Sequence, residues 1–123
     1  MSARILVIDD DQAVRKTICE NLEECGYDVM QAADGEQGLL FMDTANLPAI
    51  VITDIIMPHK EGLETIIEIR KKFPGIKLIA ISGGGRTRST DFLHLAEKLG
   101  SDITLPKPLD MDELERAVKS LLS

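Results

Sequence analysis

The sequence predicts an α/β domain with a parallel sheet and helices on both of its faces, and three observations predict it. Short apolar runs at residues 4–8, 50–52, 77–81 and 103–105 are rich in β-branched residues. They are too brief for helices and read as strands buried on both faces. Between them lie stretches with apolar residues at helical spacing. Strand and helix then alternate along the whole chain, and that alternation implies parallel pairing with helical crossovers. No repeat, low-complexity tract or linker interrupts the pattern, so the 123 residues are expected to form one domain, 1–123.

Taken in order, the first strand ends at Asp9-Asp10-Asp11. Val14, Ile18, Leu22 and Cys25 then mark a helix that begins at Asp11 or Gln12 and closes at Gly26 as a C′ residue. Residues 27–32 alternate, with Tyr27, Val29 and Gln31 on one side, which suits an edge strand with one exposed face. Asp34 can cap a helix running to about residue 44, with Leu39, Leu40, Phe41 and Met42 as its apolar side and Gly38 weakening its centre. The third strand leads to Asp54, and a helix follows over residues 63–72. Leu63, Ile66, Ile67 and Arg70 trace its inner side, the arginine stem serving as cover. Phe73-Pro74-Gly75 stops it. The fourth strand ends at Ser82-Gly83-Gly84-Gly85, a helix is expected over residues 92–99, and Gly100 ends that. The fifth strand closes at Pro106-Lys107-Pro108. Asp110 and Glu113 make a capping-box-like pair for a last helix buried through Leu114, Ala117, Val118, Leu121 and Leu122.

Composition excludes several classes of function. Apolar residues are 44% of the chain, enough for a core. With 21 acids against 14 bases the net charge is −7, which argues against direct nucleic-acid binding. No apolar run approaches the roughly 20 residues of a membrane span. The start, Met1-Ser2-Ala3-Arg4, runs into a strand and leaves no room for a signal peptide. Cys19 and Cys25 are too few for a disulfide framework and read as reduced thiols of a cytoplasmic protein.

In open parallel sheets ligands bind beyond the carboxyl ends of the strands. Four of the five strands end there in a reactive group: Asp9 and Asp10, Asp54, Ser82 and Lys107. Chance placement of strand-end polar residues predicts mixed types, not three carboxylates with one hydroxyl and one ammonium. The carboxylates repel one another, and a divalent cation relieves this. Oxygen donors favour Mg2+ or Mn2+ over zinc, since neither a cysteine nor a histidine pair joins them. Mg2+ keeps waters and takes a phosphoryl oxygen. Lys107 suits a second phosphoryl oxygen, and Ser82 with the N–H groups near Gly83 suits a third. One carboxylate is left as a nucleophile for phosphoryl transfer, and the residues alone do not say which.

At this point the chain closely resembles the receiver domains of two-component response regulators. The resemblance spans essentially the whole sequence and rests on an ordered set: Ile8-Asp9-Asp10-Asp11, Asp54 with Met57-Pro58, Ile81-Ser82-Gly83, and Lys107-Pro108. It implies a flavodoxin-like doubly wound fold, a five-stranded sheet of order 2-1-3-4-5. It makes Asp54 the phosphoacceptor and Asp10 a direct Mg2+ ligand, with Asp9 holding the metal largely through water and the Ile56 backbone carbonyl completing the protein ligands. Ser82 matches the hydroxyl that bonds the phosphoryl group, Lys107 the lysine that pairs with Asp54 or its phosphate, and Pro108 the proline of a cis Lys-Pro bond. The implied reaction is attack of Asp54 on a phosphohistidine of a sensor histidine kinase or histidine phosphotransferase. Hydrolysis then resets the site. The readout would be a conformational change at the face of the fourth and fifth strands and the helix after each, passed to a downstream protein or to a second phosphorylated copy in a dimer. The chain would be a stand-alone regulator or part of a longer one.

The sequence also departs from the family pattern. Thr104 stands where the family often has an aromatic switch residue three positions before the lysine, which gives weight to a constitutive adaptor that signals by contact alone. Ile56 and Gly84 offer no polar group to position a hydrolytic water, and Leu109 replaces a frequent phenylalanine. A Mg2+-dependent phosphatase with an aspartyl intermediate would need a second acid two residues after Asp54, where Ile56 stands. His59 and His94 read as ordinary loop and helix residues, Asp11 as a cap, and Arg86 and Arg88 as solvated loop charges. Gly83-Gly84-Gly85 lacks the Gly-Lys-Ser/Thr of a phosphate-binding loop.

Overall fold

The apolar runs pair as five parallel strands: β1 (Arg4–Ile8), β2 (Asp28–Ala32), β3 (Ile50–Asp54), β4 (Lys77–Ser82) and β5 (Ile103–Pro106). They form one sheet of order β2-β1-β3-β4-β5, as the resemblance implied. The computed structural model describes residues 3–42, 46–55, 62–82, 98 and 100–123. The helices α1 (Gln12–Glu24), α2 (Gly35–Leu40), α3 (Gly62–Lys72) and the C-terminal helix (Met111–Leu122) connect and cover the strands. The helix expected over 92–99 lies outside the described residues except for Lys98, which is helical.

Aspartates start three of these helices. Asp11, Asp34 and Asp110 each accept backbone N–H bonds from the first turn, satisfying donors that a helix leaves orphaned. Gly26 closes α1 at φ 94°, in the left-handed region where a side chain would strain the backbone.

Strand alternation divides the core into two layers. Leu6, Ile8, Val51, Ile55, Leu78 and Ala80 face α3, whose Leu63, Ile66 and Ile69 fill that side. Ile5, Val7, Ile50, Ile52, Ile79 and Ile81 face α1 and the C-terminal helix through Ile18, Leu22, Leu114 and Val118. With both faces covered, the central strands read in sequence as continuous apolar runs.

Five expectations change. In β2 both faces are covered rather than one: Val29 packs with the α1 layer, Met30 and Ala32 with the α3 layer, and Gln31 is exposed. A strand at the sheet edge still lies between two helical layers. The α2 helix ends at Leu40, not near residue 44, and Leu40 is 83% exposed. Along α3, Thr65 and Ile69 are buried while Ile67 is 44% exposed, so the buried stripe runs 63, 66, 69 and leaves residue 67 on its flank. Leu122, in the last turn of its helix, is also exposed. Gly38 proves to be a point of close packing against the Ile8 side chain. A Cβ there would meet Ile8 Cδ1 at 2.5 Å, so the bare helix face lets α2 close on β1 just before its acidic end.

Candidate functional site

The side-chain period of two carries the chemistry to one place. Asp54 is the last residue of β3 and continues the alternate set of Ile50 and Ile52, on the α1 side of the sheet. Asp9 follows β1 and continues the set of Ile5 and Val7, its N–H still bonded to Ala32 O at 3.1 Å. Lys107 follows β5 in phase with Ile103 and Leu105. These three groups meet beyond the carboxyl edge of the sheet. Lys107 Nζ donates to Asp9 Oδ2 and to Asp54 Oδ2, each at 3.1 Å. Asp9 is 1% exposed and Asp54 5%. Burial works against the Lys107 charge, but the Asp54 and Asp9 carboxylates outweigh it and raise the ammonium pKa above its ordinary value.

Asp10 completes the acidic set from the exposed side. One carboxylate oxygen from each of Asp9, Asp10 and Asp54 lies within 4.8 Å of the others. Among the described residues Lys107 pairs with Asp9 and Asp54 and Asp10 stands beside them, three carboxylates to one ammonium. The donors of this cluster are all oxygen, the set that holds a hard divalent cation. Asp9 is further fixed through Oδ1, which accepts from Asp11 N at 2.9 Å. Asp11 itself is the cap of α1 and stands outside the cluster, as expected.

The backbone of Ser82 ends β4 beside Pro106, one residue beyond Ile81, the partner of Asp54. This brings Ser82 to the same edge, while its side chain lies outside the described residues. Ile56, His59, Gly84, Arg86, Arg88 and His94 lie outside them as well. The Lys107–Pro108 peptide is cis, as the resemblance implied. Thr104 sits half-buried in β5 opposite Ala80. Ala13, Val14, Thr17, Pro108, Leu109 and Met111 line a mostly apolar groove of about 300 Å³ that reaches Lys107. Both thiols are free. Burial pushes Cys19 up to about 11, which fits an inert core residue.

Sequence reasoning missed Arg15. Its Nη1 donates to the Asp9 carbonyl at 2.7 Å and its Nε to Gln31 Oε1 at 3.3 Å. A basic residue one helical turn after an acidic strand end is a weak signal, since most such side chains point to water.

Similarity to known proteins identifies the family and the fold. The family model described as "Response regulator receiver domain" matches residues 5–119. Sensor kinase CckA of Brucella abortus is 34% identical over 98% of this chain, which spans 13% of that protein's length. The alkaline phosphatase synthesis transcriptional regulatory protein PhoP of Bacillus subtilis is 32% identical over 99% of the chain, here 49% of the relative. The chain thus spans half or less of these curated relatives. Among solved structures, a response regulator receiver domain protein from Clostridium thermocellum superposes with a TM-score of 0.88 at 34% identity, covering 98% of this chain and 94% of that one. Among the described residues no helix is long and apolar enough to cross a membrane. With the strand order, the acidic cluster and the family match over residues 5–119 in agreement, the chain belongs to the receiver domains of two-component response regulators.

Proposed function

We propose that the chain, as one domain over residues 1–123, accepts a phosphoryl group on Asp54 from the phosphohistidine of a sensor histidine kinase or histidine phosphotransferase. The observation that carries this reading is the Lys107 ammonium bridging two nearly buried carboxylates, Asp9 and Asp54, at 3.1 Å each. Among the described residues one ammonium thus meets two carboxylates, with the Asp10 carboxylate close by. The oxygen donors of Asp9, Asp10 and Asp54 fit Mg2+, or Mn2+, and the Ile56 backbone carbonyl is the further ligand that the family resemblance implies. When bound, the ion supplies positive charge to the phosphoryl oxygens.

Asp54 attacks phosphorus through a carboxylate oxygen, forming the P–O bond as the P–N bond to the donor imidazole breaks. Lys107 already donates to Asp54 and can follow the new negative charge onto a phosphoryl oxygen. Ser82, brought to the same edge by β4, is the hydroxyl for another oxygen. Water then hydrolyses the acyl phosphate, with no polar side chain from Ile56 or Gly84 to assist. The readout is a shift at the face of β4, the segment at 92–99, β5 and the C-terminal helix. It acts on a downstream protein or a second copy, in a cytoplasmic regulator that is either stand-alone or longer.

Incubation with acetyl phosphate and Mg2+, followed by intact mass, tests this. The expected result is a gain of one phosphoryl group that vanishes in Asp54→Ala. No gain under any donor would overturn the reading and favour the constitutive adaptor to which Thr104 lends weight. Turnover of unrelated phosphomonoesters would point to a phosphatase instead.

A further inference from the structure

The two neighbouring acids at the end of β1 are held very differently. Asp9 is fixed at four points: its N–H on Ala32 O, its Oδ1 under Asp11 N, its Oδ2 on Lys107, and its carbonyl under Arg15 Nη1. Asp10 is exposed and its carboxylate accepts no hydrogen bond from the described residues. Yet it lies close enough to Asp9 and Asp54 to share an ion with them. Its direction is therefore set through the backbone that carries it rather than by a hydrogen bond to its carboxylate.

The Asp9 carbonyl belongs to the same planar unit as the Asp10 nitrogen and Cα. A bond that stops this plane from rotating also sets the direction in which Asp10 projects its Cβ. Arg15 makes that bond at 2.7 Å, the shortest of its contacts. Its Nε is tied to Gln31 at 3.3 Å, and its backbone N–H to Asp11 O at 2.9 Å. The guanidinium is a flat fork carried on α1 and tied to β2 through Gln31, so it can restrain the plane where a single ammonium would pivot.

We propose that Arg15 is a positioning residue for Asp10 as a divalent-cation ligand, acting through the Asp9–Asp10 peptide plane. The inference rests on the reading above, in which Asp10 holds the metal. It makes a prediction opposite to simple electrostatics. A cation near a metal site repels the metal, so deleting its charge should tighten binding. Deleting a positioning group should loosen it.

The test is Mn2+ binding to the full chain, followed by the EPR signal of the free ion, with thermal melting alongside. Arg15→Met is expected to weaken Mn2+ binding roughly tenfold, the size of effect typical for partners of metal ligands. Arg15→Lys, which keeps the charge but not the fork, is expected to lose an intermediate amount. Lys16→Met deletes the neighbouring charge, which pairs with Glu20 at 3.9 Å, and is expected to change binding little. Unchanged or tighter binding in Arg15→Met, with or without a lower melting temperature, would overturn the proposal. If Arg15→Met does not fold, unchanged binding in Arg15→Lys overturns it equally. Wild-type affinity in Asp10→Asn would instead overturn the assignment of Asp10 to the metal, and this inference with it.

Discussion

At the amino ends of the strands Arg4 meets Asp28 at 3.1 Å, and Arg70 reaches the carbonyls of Pro74, Ile76 and Gly100 together with Asp102. Asp102 in turn accepts from Leu78 N at 2.8 Å. Cations and anions are matched there, and the Arg70 donors go largely to backbone oxygens that a loop would otherwise leave to water. At the carboxyl ends Asp9 and Asp54 share Lys107, and Asp10 lies beside them. Among the described residues, the same sheet thus carries one end with matched charges and one where carboxylates outnumber cations. Stability requires matched charge and satisfied backbone, while binding a cation and a phosphoryl group requires a surplus of donors kept in place.

The largest effect is expected at Arg70. Arg70→Ala leaves three carbonyls and Asp102 without this donor and should cost about 3 kcal/mol in urea unfolding. A loss under 1 kcal/mol would mean that the amino end is not the stabilising one. Next in size is Lys107→Met, which strands two nearly buried carboxylates and should cost about 2 kcal/mol without divalent ion. Its pH dependence follows from the raised ammonium pKa. The contribution of Lys107 is full below its ordinary value of 10.5 and disappears as pH rises through the higher folded value. The stability gap between wild type and Lys107→Met should therefore be flat near neutral pH and shrink only in strong alkali. A gap that closes below pH 9 would contradict the geometry.

Asp10→Asn should act in the opposite direction. Removing one of three crowded charges should raise stability by about 1 kcal/mol without divalent ion. Added Mg2+ should narrow this gain by stabilising the wild type more. A destabilised Asp10→Asn would show that the carboxyl end is not under charge strain. The smallest effect is expected for Arg4→Ala. Its ion pair is well exposed and should contribute about 0.5 kcal/mol or less, fading with salt.

Much of the site was legible in the chain. Asp9, Asp10, Asp54 and Lys107 could be placed together because strand ends are visible as breaks in apolar runs, and parallel strands share one carboxyl edge. The caps at Asp11, Asp34 and Asp110 were legible for a similar reason, being local side-chain contacts to the next few amides. Arg15 was not, because its target is a carbonyl, and every residue carries one. Only the docking of α1 against β1 decides which carbonyl it meets. Gly38 read as a weak point in a helix, since its neighbour Ile8 lies thirty residues earlier. Ile67 and Ile69 have similar side chains, and spacing could not tell which would face the sheet. The two covered faces of β2 were likewise hidden, as an edge strand between two layers has the mixed pattern of a half-exposed one.

By itself, then, the sequence determined the strands, the order of alternation and the residues delivered to the carboxyl edge. These depend on local hydrophobic period and on short-range capping, which neighbouring residues specify. The tertiary structure alone decided that Lys107 spans both Asp9 and Asp54, that Asp9 is locked while Asp10 is left exposed, and that Arg15 grips the peptide between them. Those facts depend on the twist and packing of elements up to 98 residues apart. No local pattern encodes a distance across the sheet.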